Sequence, residues 1–344
     1  MKKRFISIIF LLMSAAVMAQ EGYITKLMLE TRLDYMQEYI SSDKIEGGSG
    51  FKGKYLNFRI DGNLTDKISY SYRQRLNKPS KDATFFDATD WITLTYTIGN
   101  WGFSGGKQVV AIGGYEYDKA PIDVYFSSEY WNHIACYQLG VSAAYTLSSG
   151  NDTFKLQFCE SPFRKNAFNV NNDELFAYNL MWTSRHGVFN SIYSVNMIEY
   201  LPGKFINYIA AGNRLEFNKL YIELDLMNRA TGMKNLLGRD FTVIAELGWQ
   251  PTEQFNIFAK VTHDTNKVDD PGDLCIPYGT NLTRYGAGLE YYPIKGSKSL
   301  RLHIDGCHTV GASPETTVLR PHQTIIDCGI TWRMDMLNLN HKNK

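Results

Sequence analysis

The chain has 344 residues, 44% of them hydrophobic, 14% aromatic and 21% charged, with a mean hydropathy of −0.28. After residue 20 no apolar run reaches the roughly 18 residues that a spanning helix needs, which excludes a polytopic helical membrane protein, and 22 Tyr, 19 Phe and 6 Trp exclude a disordered chain. A formal net charge of +1 gives no reason to expect nucleic acid as a partner.

The N-terminus reads Lys2-Lys3-Arg4, then an apolar run from Phe5 to Met18, then Ala19 before Gln20. A basic start, an apolar centre and small residues at Val17 and Ala19 predict a cleaved export signal over 1–19. Without Lys2, Lys3 and Arg4 the 36 basic residues become 33, against 35 acidic ones.

From there on, alternation with period two is nearly continuous and helical periodicity nearly absent. Leu56, Phe58 and Ile60 point one way while Asn57, Arg59 and Asp61 point the other; Ile68, Tyr70 and Tyr72 oppose Ser69, Ser71 and Arg73. Strands are expected near 26–40, 53–64, 67–77, 89–98, 101–110, 136–147, 153–160, 175–184, 188–198, 206–217, 220–229, 239–249, 255–264, 281–292, 298–308 and 323–336, sixteen in all. Their connections alternate. Seven are tight, such as Thr65-Asp66, Gly99-Asn100 and Asn218-Lys219, and eight are mostly longer: 41–52, 78–88, 111–135, 161–174, 199–205, 230–238, 265–280 and 309–322.

A soluble sandwich has no reason to gather its short turns at one end. An outer-membrane barrel has periplasmic turns that are short and external loops that are long. The expected fold is therefore all-β: a transmembrane antiparallel up-and-down β-barrel of about sixteen strands over 20–337, with a C-terminal tail at 338–344. Aromatic residues then acquire a place. Trp101, Tyr145, Phe154, Trp182, Phe189, Phe217, Trp249, Phe255 and Tyr291 flank the tight turns, as an interfacial girdle would. The last strand alternates to Trp332, resembling the C-terminal signal that barrel-assembly machinery reads, although Leu337 to Lys344 follow it.

If apolar residues face lipid, the opposite parity lines the lumen. Closure would gather Arg32, Arg59, Arg73, Arg75, Arg301 and Arg333 on one stretch of wall. Such a wall either creates a positive field that concentrates anions or pairs with acids such as Asp34, Asp61, Asp305 and Asp327. The longest connection, 111–135, is the third external loop, and its aromatic and β-branched residues from Tyr115 to Trp131 argue against disorder. It is expected to fold inward and narrow the pore with Glu116, Asp118, Lys119, Asp123 and Glu129. The alternative is a loop packed over the rim.

Gly106-Lys-Gln108, Gly113-Gly-Tyr-Glu-Tyr-Asp118 and Pro121-Ile-Asp-Val-Tyr125 resemble the third-loop region of the phosphate-selective porin O/P family. That resemblance implies a sixteen-stranded diffusion channel, trimeric and in some members anion-selective. The loop departs from a phosphate filter, since its four acids stand against the single Lys119.

No metalloprotease, phosphate-loop or serine-hydrolase motif is found, and no cofactor is expected. Five Cys without paired spacing receive no role. His303 and Asp305 share a face, the seed of an alternative reading as an outer-membrane hydrolase. A second alternative is a secreted β-protein that binds carbohydrate through its aromatics. The leading expectation is an outer-membrane porin of a Gram-negative-type cell that passes small anionic or neutral hydrophilic solutes, in contact with lipid and forming homotrimers.

Overall fold

The computed structural model describes residues 24–78, 84–164, 174–232, 237–270 and 272–338. The expected export signal and all but the first residue of the expected tail lie outside the described residues; that first residue, Asn338, still belongs to the last strand.

Sixteen long strands follow one another: β1 Ile24–Ile40, β2 Gly50–Thr65, β3 Ile68–Arg75, β4 Thr89–Ile98, β5 Trp101–Val109, β6 Tyr137–Thr146, β7 Asp152–Glu160, β8 Phe176–His186, β9 Phe189–Leu201, β10 Lys204–Phe217, β11 Leu220–Ala230, β12 Asp240–Thr252, β13 Phe255–Thr265, β14 Asn281–Tyr291, β15 Leu300–Ala312 and β16 Gln323–Asn338. A two-residue strand, Asp43–Lys44, extends the first hairpin by pairing with the end of β1. Each long strand pairs antiparallel with the next. The sheet closes where β1 meets β16, paired from Lys26↔Asn338 to Ile40↔Gln323 with one shift of register between Leu27 and Met28. Closure leaves no free edge, the condition for a sheet to cross a membrane.

The side chains are distributed inside out. On β11, Ile222, Leu224 and Leu226 are 40%, 47% and 44% exposed, whereas the intervening Glu223 and Asp225 are 3% and 5% exposed. In water this would leave a large apolar belt uncovered; in lipid it is the expected arrangement. Two aromatic bands border the belt. At the tight-turn end Trp101 packs on Tyr145 at 4.8 Å, Phe154 on Trp182 at 5.9 Å and Phe255 on Tyr291 at 4.8 Å. At the other end Phe158 meets Phe176 and Tyr178 at 5.0 and 5.3 Å.

Tight turns use residues that tolerate a left-handed backbone: Gly99, Gly187 and Asn218 have φ of 53°, 61° and 47°. One expected long loop is absent. β9 continues to Leu201 and β10 begins at Lys204, so 199–205 shrinks to the turn Pro202-Gly203 at the long-loop end. The reason is a dry core. Ile198, Tyr200, Ile206 and Tyr208 face inward and are buried with Val110, Ile112, Tyr117, Tyr130 and Ile276, so the strands gain packing by running on above the membrane.

Candidate functional site

The third connection leaves β5 at Val109 and rejoins β6 at Tyr137. It contains two short helices, α1 Tyr115–Asp118 and α2 Glu129–His133, with a 3-10 turn at Pro121–Asp123 between them. Its hydrogen bonds run to inward-facing groups of the wall.

The approach begins where side chains are absent. Gly113 N–H donates to Ser194 Oγ at 2.8 Å and Gly114 N–H to the Ile192 carbonyl at 3.2 Å, both on β9. A Cβ on Gly113 would lie 2.7 Å from the Ile192 oxygen, and one on Gly212 of β10 would lie 2.7 Å from Gly114 Cα. Wall carboxylates then take up the free amides of each helix start. Asp225 accepts from Tyr115 and Glu116 N–H at 2.8 Å each, and Asp264 accepts from Glu129 N–H at 2.9 Å.

Charged side chains complete the seam. Lys119 Nζ stands 2.7 Å from Glu223 and 2.8 Å from Glu246, and Lys260 Nζ donates to Glu116 at 2.6 Å. Asp123 accepts from Arg301 and Arg333 at 2.9 and 2.7 Å, while Arg32 and Arg301 donate to the Val124 and Ile122 carbonyls at 3.1 Å. Glu129 accepts from Val318 and Leu319 N–H at 2.8 and 2.9 Å. Burial opposes the charge on Lys119, but Glu246 and Glu223 beside it raise its pKa above the ordinary lysine range. Burial likewise opposes the charge on Asp123, yet the guanidinium groups of Arg301 and Arg333 hold its carboxyl below the usual range. Of the five loop residues singled out in the sequence, Asp118 is the exposed one and makes no ion pair among the described residues.

The six arginines do share neighbouring strands, and each has carboxylates at hand. Arg59 is 2.8 Å from Asp61, Arg75 is 3.2 Å from Asp90, and Arg73 is 3.3 Å from Asp90 and 3.7 Å from Glu30. Arg32 is 2.9 Å from Asp34, Arg301 is 3.1 Å from Glu290, and Arg333 is 3.3 Å from Glu30. Each of the six therefore has a carboxylate within 4 Å. Aromatic faces cushion the same groups: Arg59 and Arg73 lie 5.5 and 4.9 Å from the Trp91 ring, and Arg32 lies 4.7 Å from Tyr125. Nothing in the sequence marked Trp91 or Tyr125 for this role.

Three internal cavities adjoin the loop. One of about 490 Å³ opens among Lys119, Arg214, Tyr221 and the turn residues Asn218 and Lys219; one of about 170 Å³ lies between Asp123, Tyr125 and Lys260; one of about 290 Å³ lies at the long-loop end by Val318 and Leu319. Asp34, His303 and Asp327 bring potential metal-binding atoms within 4.8 Å of one another. The Arg32 guanidinium already meets them, donating from Nε to both Asp34 oxygens at 3.1 and 2.9 Å and lying 3.5 Å from His303 Nε2. A metal ion would compete with that cation. Among the described residues no serine hydroxyl hydrogen-bonds to His303, so the hydrolase alternative gains no support from this pair.

Comparison with known proteins agrees with this geometry. Among solved structures, the barrel is similar to the anion-selective porin from Comamonas acidovorans, with 10% identity, a TM-score of 0.61, and 90% of this chain and 99% of that one covered. It is similar to a loop-deletion form of OmpT, an outer membrane protein of Vibrio cholerae, at 12% identity, a TM-score of 0.60, and coverage of 91% and 100%. A mutant Rh. blastica porin matches at 13% identity, a TM-score of 0.55, and coverage of 90% and 100%. No curated protein matches the sequence. The chain has the fold of outer-membrane porins, and its residues 26–188 match the family of phosphate-selective porins O and P.

Proposed function

We propose that this barrel is a passive outer-membrane channel for small hydrophilic solutes, and that residues 111–135 form its constriction. The observation that carries the reading is the charged seam between loop and wall at Lys119, Asp123 and Glu116, inside a closed barrel whose outer face is apolar. A barrel of sixteen strands is wide enough for an aqueous lumen, and a loop fastened across it limits the size of what passes. Diffusion of this kind breaks no bond, which makes the protein a channel rather than an enzyme. Arg59, Arg73 and Arg75 bias it mildly toward anions: Glu30 and Asp90 beside them are each shared between two guanidinium groups, Glu30 between Arg73 and Arg333 and Asp90 between Arg73 and Arg75.

The rest of the reading follows from export and insertion. Residues 1–19 act as a cleaved signal, the barrel-assembly machinery inserts the mature chain among outer-membrane lipids, and three copies associate. That last step is supported by a solved trimer form of the Vibrio cholerae OmpT, which has the same fold at 11% identity and a TM-score of 0.61.

Liposome swelling with uncharged sugars of increasing size tests the constriction. Swelling rates should fall steeply with solute size, and Lys119→Met with Asp123→Ala should admit larger sugars. An unchanged size limit in that double variant would remove the loop from the account.

A further inference from the structure

The cavity of about 290 Å³ at the long-loop end has charges of both signs on its walls; Lys54 attracts Asp305 and Asp327 from a distance but forms an ion pair with neither. Asp305 and Asp327 line it, directly opposed across β15 and β16. They are 6% and 5% exposed, and Asp305 Oδ2 and Asp327 Oδ1 are buried without a hydrogen-bond partner. Among the described residues Asp305 has no ion pair, and Asp327 has only Arg32 at 3.8 Å, which is already committed to Asp34. Two opposed carboxylates with free acceptor atoms are expensive to keep in a buried wall.

The same cavity is lined by two cations in the complementary situation. Arg284 donates to Thr309 Oγ1, the Ser127 carbonyl and Gln323 Oε1 at 3.2, 3.3 and 3.1 Å, all of them neutral groups. Among the described residues Lys54 Nζ has the Met36 sulfur at 3.6 Å as its hydrogen-bond acceptor, a weak one. Neither has a carboxylate within 4 Å among the described residues. Tyr125 and Trp131 supply apolar surface beside them.

We propose that this cavity is a binding station for a small zwitterion of the amino-acid or dipeptide class. Its ammonium group meets Asp305 and Asp327, and its carboxylate meets Lys54 and Arg284. A free ammonium donates the hydrogen bonds that the two orphan oxygens lack, and a free carboxylate supplies the anionic acceptor that neither cation has. The volume sits near the lower bound of about 300 Å³ for pockets that enclose drug-sized ligands, which limits the occupant to that size class. The station rests on the channel reading above and names a class of solute for it.

The test uses the full-length protein in a planar bilayer, with dialanine as the probe and propionate and propylammonium as its single-charge counterparts. Dialanine should interrupt the current at a concentration at least tenfold below that of either counterpart. Asp305→Asn and, separately, Lys54→Met should each raise that concentration about tenfold, while Glu216→Gln at the opposite mouth should leave it unchanged. Lys54 is half-buried and weakly held, so its variant should fold if Asp305→Asn does not. Equal potency of propionate and dialanine, or indifference to Lys54→Met, would overturn the proposal. If the folded protein conducts no ions, the channel reading fails on its own. Equilibrium dialysis of radiolabelled dialanine against detergent-solubilised protein then decides the station: binding weakened by Lys54→Met supports it, and no binding overturns it.

Discussion

Lys119 shows how a single residue fastens the loop. Its ammonium group lies between Glu223 on β11 and Glu246 on β12, so removing it leaves two carboxylates with less compensation than before. Breaking a fully buried pair costs about 3–5 kcal/mol, and the loss here is smaller, because Lys119 keeps 23% of its side chain exposed and Arg214 still faces Glu223 at 3.0 Å. Lys119→Met should therefore lower the stability of the folded barrel in denaturant and broaden its open-channel current noise. A variant with wild-type noise would place the lysine outside the constriction. Gly212 acts through the atoms it lacks: any larger residue would push against Gly114, so Gly212→Leu should dislodge the start of α1 and raise protease cleavage within 111–135. At this scale the sequence revealed direction more readily than partnership. Strand alternation is enough to put Asp225 and Asp264 on the inner face, but their service to the backbone amides of residues 115, 116 and 129 depends on a loop more than a hundred residues away in the chain. The arginines are similar: their shared wall followed from closure of the sheet, whereas Asp90 between Arg73 and Arg75 depended on a register shift in the β3–β4 pair.

Elements were legible because the environment imposes a two-residue repeat on each strand. Outward positions on β11 must suit lipid and inward ones water, and Ile222-Glu223-Leu224-Asp225-Leu226 states that alternation without ambiguity. Leu224→Arg should accordingly cost about 2–4 kcal/mol if the position lies near the bilayer midplane, measured by reversible unfolding in lipid vesicles. A cost near zero would place β11 outside the hydrocarbon. The rule fails where the inner face is dry. Between 198 and 208 both parities carry apolar or aromatic residues, because Ile198, Ile206 and Tyr208 pack against the loop instead of water. The expected loop at 199–205 was the result, and the strands in fact run on to a two-residue turn. The helices α1 and α2 left no periodic signal either, since four and five residues are too few to show one.

For the whole molecule, the chain hides both solvents in one average: a polar mean hydropathy is what a closed sheet with a lipid face and an aqueous face must have. The same closure gathers β1, β15 and β16, bringing Arg32, Arg301 and Arg333 onto the loop residues Ile122 to Val124. Ion selectivity depends on the field of the entire lumen. Replacing Arg59, Arg73 and Arg75 together by Gln should move the reversal potential across a salt gradient toward cations. An unmoved potential would make those arginines structural.

The most direct measurement is the single-channel current of the purified, folded protein in a planar bilayer. A passive channel gives discrete, ohmic conductance steps, larger in the Lys119→Met and Asp123→Ala double variant. Folded protein that inserts and yields no steps would contradict it.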